Sequence, residues 1–133
     1  MVSKENKKFS IIARIKSATH AWRGLIILIK TTHNLWGHIF FGVLAIYLGF
    51  ILNISQTEWL FIILAISIVL IVESLNTAFE IDIDLTSPEY HPYARDTKDV
   101  AAASVLLSVF FAIIVGLFIF LPKILNSLNC FNW

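Results

Sequence analysis

Three stretches of this 133-residue chain carry no Asp, Glu, Lys or Arg: Thr31 to Thr57, Trp59 to Val72, and Val100 to Pro122. A bilayer core takes about 20 helical residues to cross, and leaves no backbone polar group unpaired inside it. The first and third stretches meet that length as they stand. The second meets it if it continues through the single acid Glu73 to Phe79. The chain is therefore expected to be an all-α membrane protein with three transmembrane helices. With 58% hydrophobic and only 14% charged residues, it lies well outside soluble-protein usage.

The remaining charge is unevenly placed. Seven of the ten basic residues (Lys4, Lys7, Lys8, Arg14, Lys16, Arg23 and Lys30) fall within the first thirty positions, and Arg95 and Lys98 lie between the second and third spans. Positive charge marks cytoplasmic segments. The N-terminus and the second link are thus expected on the cytoplasmic side, and the first link and the C-terminal tail outside. A net charge of +1 gives no reason to expect a nucleic-acid partner. The basic start leads into an amphipathic stretch and is not expected to act as a cleaved signal. A single cysteine, Cys130, cannot form an internal disulfide.

One domain is expected over 1–133, with 1–8 polar and disordered. Over 9–31, Ile11, Ile15, Ala18, Trp22, Ile26 and Ile29 recur at helical spacing beside a stripe of Lys16, Arg23 and Lys30. That pattern predicts an amphipathic helix lying in the cytoplasmic interface. Membrane helices are expected over 35–54, 58–84 and 98–121. Ser87-Pro88 and His91-Pro92 mark a loop over 85–97, and Pro122 ends the last span.

The chemistry-bearing segment is Glu73-Ser-Leu-Asn76-Thr77-Ala-Phe-Glu80-Ile-Asp82-Ile-Asp84. On a helix, Glu73, Asn76, Thr77, Glu80 and Asp84 fall within roughly 100° of arc and form a stripe ~16 Å long, whereas Asp82 points the opposite way. Carboxylates inside a bilayer are costly and normally face a bundle interior. Beyond the loop lies Arg95-Asp96-Thr97-Lys98-Asp99, followed by Ala101, Ala102, Ala103 and Ser104, small enough for close helix approach. Carboxylates for Mg²⁺, a lysine for phosphates and a deeper carboxylate to take a proton suit phosphoryl transfer to an alcohol. Two other readings are open on the residues alone: acids that merely set helix register against nearby cations, and a proton or substrate path of a transporter. His20, His33, His38 and His91 lack metal-ligand spacing and read as interfacial polar groups. A P-loop, a dinucleotide glycine fingerprint and a soluble-kinase motif are all absent.

The signature Glu-x-Leu-Asn-(Ser/Thr)-Ala-x-Glu-x-x-x-Asp is met at every defined position by Glu73, Leu75, Asn76, Thr77, Ala78, Glu80 and Asp84. Together with Trp22-Arg23-Gly24-Leu25, Ser87-Pro88-Glu89-Tyr90-His91-Pro92 and Lys98-Asp99-Val100-Ala101-Ala102, it resembles the prokaryotic diacylglycerol kinase and undecaprenol kinase family over roughly 9–122. The resemblance implies an ATP-dependent lipid kinase of the bacterial cell membrane, homotrimeric, using Mg²⁺, with its site on the cytoplasmic side. It makes Glu73 the catalytic base and Glu80 a metal ligand. It assigns His20, Asn76, Asp84, Glu89, Tyr90, His91, Lys98 and Asp99, with Glu80, to MgATP. His38 and the two loop prolines look more like undecaprenol-type members than diacylglycerol-type ones. One departure stands out. The family's second metal-binding glutamate, at the end of the surface helix, is Thr32 here, and a nearby basic residue is Trp36. That departure implies weaker metal binding, rearranged ligands or a non-catalytic descendant that binds lipid or nucleotide.

Overall fold

The computed structural model describes residues 11–130 as four helices: α1 (Ile11–Thr31), α2 (Asn34–Ile51), α3 (Gln56–Thr86) and α4 (Pro92–Cys130). The expected disorder over 1–8 falls outside these residues. Helices α2, α3 and α4 are each long and apolar enough to cross a membrane. Large apolar side chains such as Phe40, Phe41, Phe50, Leu60, Leu106 and Phe118 point outward, as lipid-facing groups must.

α3 is the hub. It packs against all three other helices, most extensively against α4. Its buried residues Ile62, Ala65, Val69, Glu73 and Thr77 recur every three or four positions and so share one face. On α2 the facing row is Leu35, His38, Gly42, Ala45 and Gly49. The small members of that row bring the helix close. A Cβ at Gly49 would lie 2.7 Å from the Trp59 ring, so only glycine fits there. Ile54, Ile62, Ile119 and Phe120 close the core at the end near the α2–α3 turn.

The α2–α3 turn explains where those helices stop and start. Asn53 takes a left-handed conformation (φ 47°), which asparagine tolerates better than most residues. The Ser55 hydroxyl accepts from the Glu58 backbone N–H (3.3 Å), and the Ser55 N–H donates to the Glu58 carboxylate (2.6 Å). This reciprocal cap starts α3 at Gln56, slightly ahead of the expected 58. Glu58 also pairs with Lys123 at 3.3 Å, tying the start of α3 to the C-terminal part of α4.

Two expectations need correction. The loop over 85–97 shrinks to 87–91, because α3 runs on to Thr86 and α4 begins at Pro92. Proline in the first helical position needs no N–H donor and brings a helical φ, so Pro92 starts a helix and does not mark a loop. Nor does Pro122 end the last helix, which continues to Cys130. A proline inside a membrane helix is tolerated where neighbouring groups accommodate the freed carbonyl.

Candidate active site

Glu73 is the only fully buried large side chain among the described residues, with 1% of its surface exposed. A carboxylate in that position within a membrane helix calls for a partner. It faces His38 of α2, whose Nε2 lies 3.6 Å from its Oε2. That nitrogen is itself buried and makes no hydrogen bond.

One turn along α3, the Thr77 hydroxyl donates to the Glu73 carbonyl (3.0 Å) and lies 2.8 Å from the Thr32 hydroxyl. A hydroxyl has one proton to give. With that of Thr77 on the carbonyl, Thr32 is the donor to Thr77. Thr32 sits at the α1–α2 corner, its N–H bonded to the Leu28 carbonyl. The position expected to supply a metal-binding acid therefore pins the end of α1 to α3.

Further along the same stripe, Asn76 donates through Nδ2 to the Glu80 carboxylate at 3.1 Å, and its Oδ1 is buried without a partner. The next member, Asp84, accepts a hydrogen bond from Lys98 of α4. Ala101, buried one turn beyond Lys98, lets the two helices meet closely enough for this. Asp82 is exposed on the opposite side of α3, as its register requires.

Besides an apolar hollow between α1 and α3 that Thr77 lines, two hollows lie near the ends of the stripe. A polar one of about 340 Å³ lies at the α3–α4 link and is lined by Asp84, Glu89, Tyr90, His91, Arg95, Lys98 and Asp99, among others. Six of the residues expected to bind nucleotide thus share one surface, which Arg95 joins through a 3.6 Å pair with Asp99. An apolar cavity of about 250 Å³ runs between α2, α3 and α4, from His38 through Ala65, Ile66 and Val109 to Phe120. His38 is its one side chain with hydrogen-bonding capacity. His20 is exposed on α1 and lines neither hollow, and Asn76 and Glu80 lie on the stripe between Glu73 and Asp84.

Among the described residues, no three His, Cys, Asp or Glu side chains cluster as a ready-made metal cage. The oxygen donors present, the Glu80 carboxylate and the orphaned Asn76 Oδ1, fit a hard cation that takes one or two protein oxygens and completes its shell with phosphate and water.

The pairing of His38 with Glu73 was not legible in the sequence. The two are 35 positions apart on different helices, and no local spacing links them. The only available signal was the row Leu35, His38, Gly42, which puts His38 on the small-residue face of its helix.

The family model described as prokaryotic diacylglycerol kinase matches residues 19–120. The chain is 38% identical over 109 residues to the undecaprenol kinase of Bacillus subtilis (strain 168), covering 82% of this chain and 89% of that protein. It is 37% identical over 111 residues to a diacylglycerol kinase of Synechocystis sp., covering 83% of this chain but 63% of that longer protein. It is 29% identical over 100 residues to the diacylglycerol kinase of Escherichia coli (strain K12), with 75% and 82% covered. A matched region that holds the polar stripe, both hollows, all of α2 and α3 and most of α4 makes this chain a member of the prokaryotic diacylglycerol kinase family, a family of membrane lipid kinases.

Proposed function

We propose that this lipid kinase phosphorylates a membrane polyprenol, undecaprenol being the best candidate, by direct transfer of the ATP γ-phosphate with Glu73 as general base. The observation that carries this reading is the buried Glu73 carboxylate facing His38, which lines an apolar cavity, with a stripe of polar groups leading from Glu73 to a polar hollow. The Glu73 carboxylate takes the proton from the lipid hydroxyl. The freed oxygen bonds to the γ-phosphorus as the bond to the ADP oxygen breaks, and the products are lipid phosphate and ADP. The proton then leaves Glu73 for solvent. A direct in-line path needs no phosphorylated protein intermediate.

In this scheme Lys98, Asp84 and Asp99, with Glu89, Tyr90 and His91, hold the nucleotide at the polar hollow. Glu80 and the Asn76 oxygen hold Mg²⁺, whose role when bound is to neutralise charge developing on the transferred phosphoryl group. His20 contributes from the surface helix if α1 turns that side toward the nucleotide. The basic N-terminal segment and the basic second link put the N-terminus and this hollow on the cytoplasmic side, where ATP is found. A homotrimer is part of the proposal, since Glu80 and much of the stripe's nucleotide end are exposed in a single copy.

The lining of the apolar cavity favours a polyprenol over diacylglycerol. A polyprenol carries one polar group, its hydroxyl, and His38 is the single polar side chain of the cavity. Diacylglycerol brings two esters, and each carbonyl left unpaired in an apolar site costs about 1–3 kcal/mol. The test is transfer of label from γ-³²P-ATP to lipid by purified protein in mixed micelles with Mg²⁺, offering undecaprenol and diacylglycerol in parallel. Faster labelling of undecaprenol is expected. Faster labelling of diacylglycerol would make the chain a diacylglycerol kinase.

A second reading is a non-catalytic relative that binds lipid or nucleotide. It is favoured by Thr32, whose hydroxyl is already engaged by Thr77 and brings no negative charge to the metal. No label on either lipid, from protein that assembles normally, would establish it.

A further inference from the structure

The Glu73–His38 contact is unfinished. At 3.6 Å it is about 0.7 Å longer than an ordinary N–H···O hydrogen bond, and the His38 Nε2 is buried with no other partner. Buried polar nitrogens are almost always satisfied, and one left just short of a buried carboxylate needs an explanation. Among the described residues, His38 is the one basic side chain within ion-pairing distance of Glu73. The same imidazole lines the apolar cavity, so it joins that cavity to Glu73.

We infer that His38 is a positioning residue for the base: its Nε2–H donates to Oε2 of Glu73, so that the other carboxylate oxygen is turned toward the lipid hydroxyl. This inference rests on the proposed role of Glu73. A carboxylate with no donor on either oxygen has no hydrogen bond to fix which oxygen faces the substrate, and only one orientation suits proton transfer. A donor fixed on one oxygen removes that freedom, and misplacement of a reacting group by an ångström can cost on the order of 10²-fold in rate. Closing the gap requires only a small swing of the ring. His38 stands on the face of α2 that already approaches α3 through Gly42 and Gly49.

The experiment compares three substitutions in the labelling assay, each checked for wild-type elution in detergent. Gln at position 38 places an N–H close to where Nε2 sits, Asn keeps the polarity but falls short, and Leu keeps bulk alone. His38→Gln is expected to retain kcat within about threefold, whereas His38→Asn and His38→Leu lose on the order of 10- to 100-fold with KM for MgATP unchanged. Equal rates in all three variants, near wild type or equally low, would overturn the inference, because donor reach would then not be the property that matters. If His38→Leu does not assemble, the Gln and Asn pair decides alone by the same criterion. Wild-type labelling with an active Glu73→Gln variant would instead remove the base assignment itself. An inactive Glu73→Gln beside three unaffected His38 variants would sink only the positioning role.

Discussion

The hydroxyls of Thr32 and Thr77 lie 2.8 Å apart, joining the α1–α2 corner to the middle of the helix that carries the polar stripe. Thr77 donates its own O–H to the Glu73 carbonyl, so the hydrogen-bond chain Thr32–Thr77–Glu73 runs in one direction. Thr32→Val keeps the shape and removes the donor. A part-buried hydrogen bond of this kind contributes about 0.5–1.5 kcal/mol, and the loss should appear as a lower melting temperature in detergent with α1 more open to protease. An unchanged melt and digestion pattern would show that this bond does not hold the surface helix.

The same position separates a weakened kinase from an idle one. Thr32→Glu places a carboxylate where the resemblance expects a metal ligand and breaks the hydroxyl bridge to Thr77. On the kinase reading, turnover at limiting Mg²⁺ rises and the Mg²⁺ concentration for half-maximal rate falls by about tenfold, the effect of one added ligand worth ~1.4 kcal/mol. A titration of rate against free Mg²⁺ reads both. No gain, from a wild type that is itself inactive, favours the non-catalytic reading.

Glu73→Gln keeps the volume and one hydrogen-bonding pattern while removing the base. Loss of a general base costs typically 10²–10⁴-fold. Turnover should therefore fall to about a hundredth or less, with the oligomer unchanged on a sizing column. Because the carboxylate is buried, its neutral replacement should leave the melting temperature equal or higher, an independent sign that Glu73 is kept for chemistry rather than stability.

Much of this arrangement was legible from charge and period. The charge-free stretches and the 3.6-residue period placed α2, α3 and the stripe, because a membrane helix must satisfy its backbone internally whatever its partners do. The register of Glu73, Thr77 and Asp84 on one face, with Asp82 opposite, followed from 100° per residue alone. The ends of α4 did not. Pro92 and Pro122 act through position within a helix, and sequence gives the residue but not the position. Contacts between helices were only partly legible: Lys98 beside the carboxylates of the stripe follows from the small residues after it and the short link, whereas Thr32 with Thr77 and His38 with Glu73 depend on how three helices dock.

The Lys98–Asp84 pair is where stability and function can be told apart. Lys98 and Asp84 are 38% and 67% exposed in their side chains, so the pair contributes little to folding, on the order of 0–1 kcal/mol. The polar hollow that both residues line is open, and a lysine there is free to leave Asp84 for a phosphate. Lys98→Met preserves the apolar stem and removes the charge. Its melting temperature should stay within a degree or two of wild type, while KM for MgATP rises on the order of tenfold or more, since hydrogen bonds to charged groups contribute about 1.5–3 kcal/mol. Asp84→Asn should move KM far less, because it frees Lys98 rather than deleting it. If both substitutions raised KM equally, the ion pair itself would be the nucleotide-binding unit. If neither did, the nucleotide would have to be held elsewhere on the stripe, with Glu80 and Asn76 the next residues to replace.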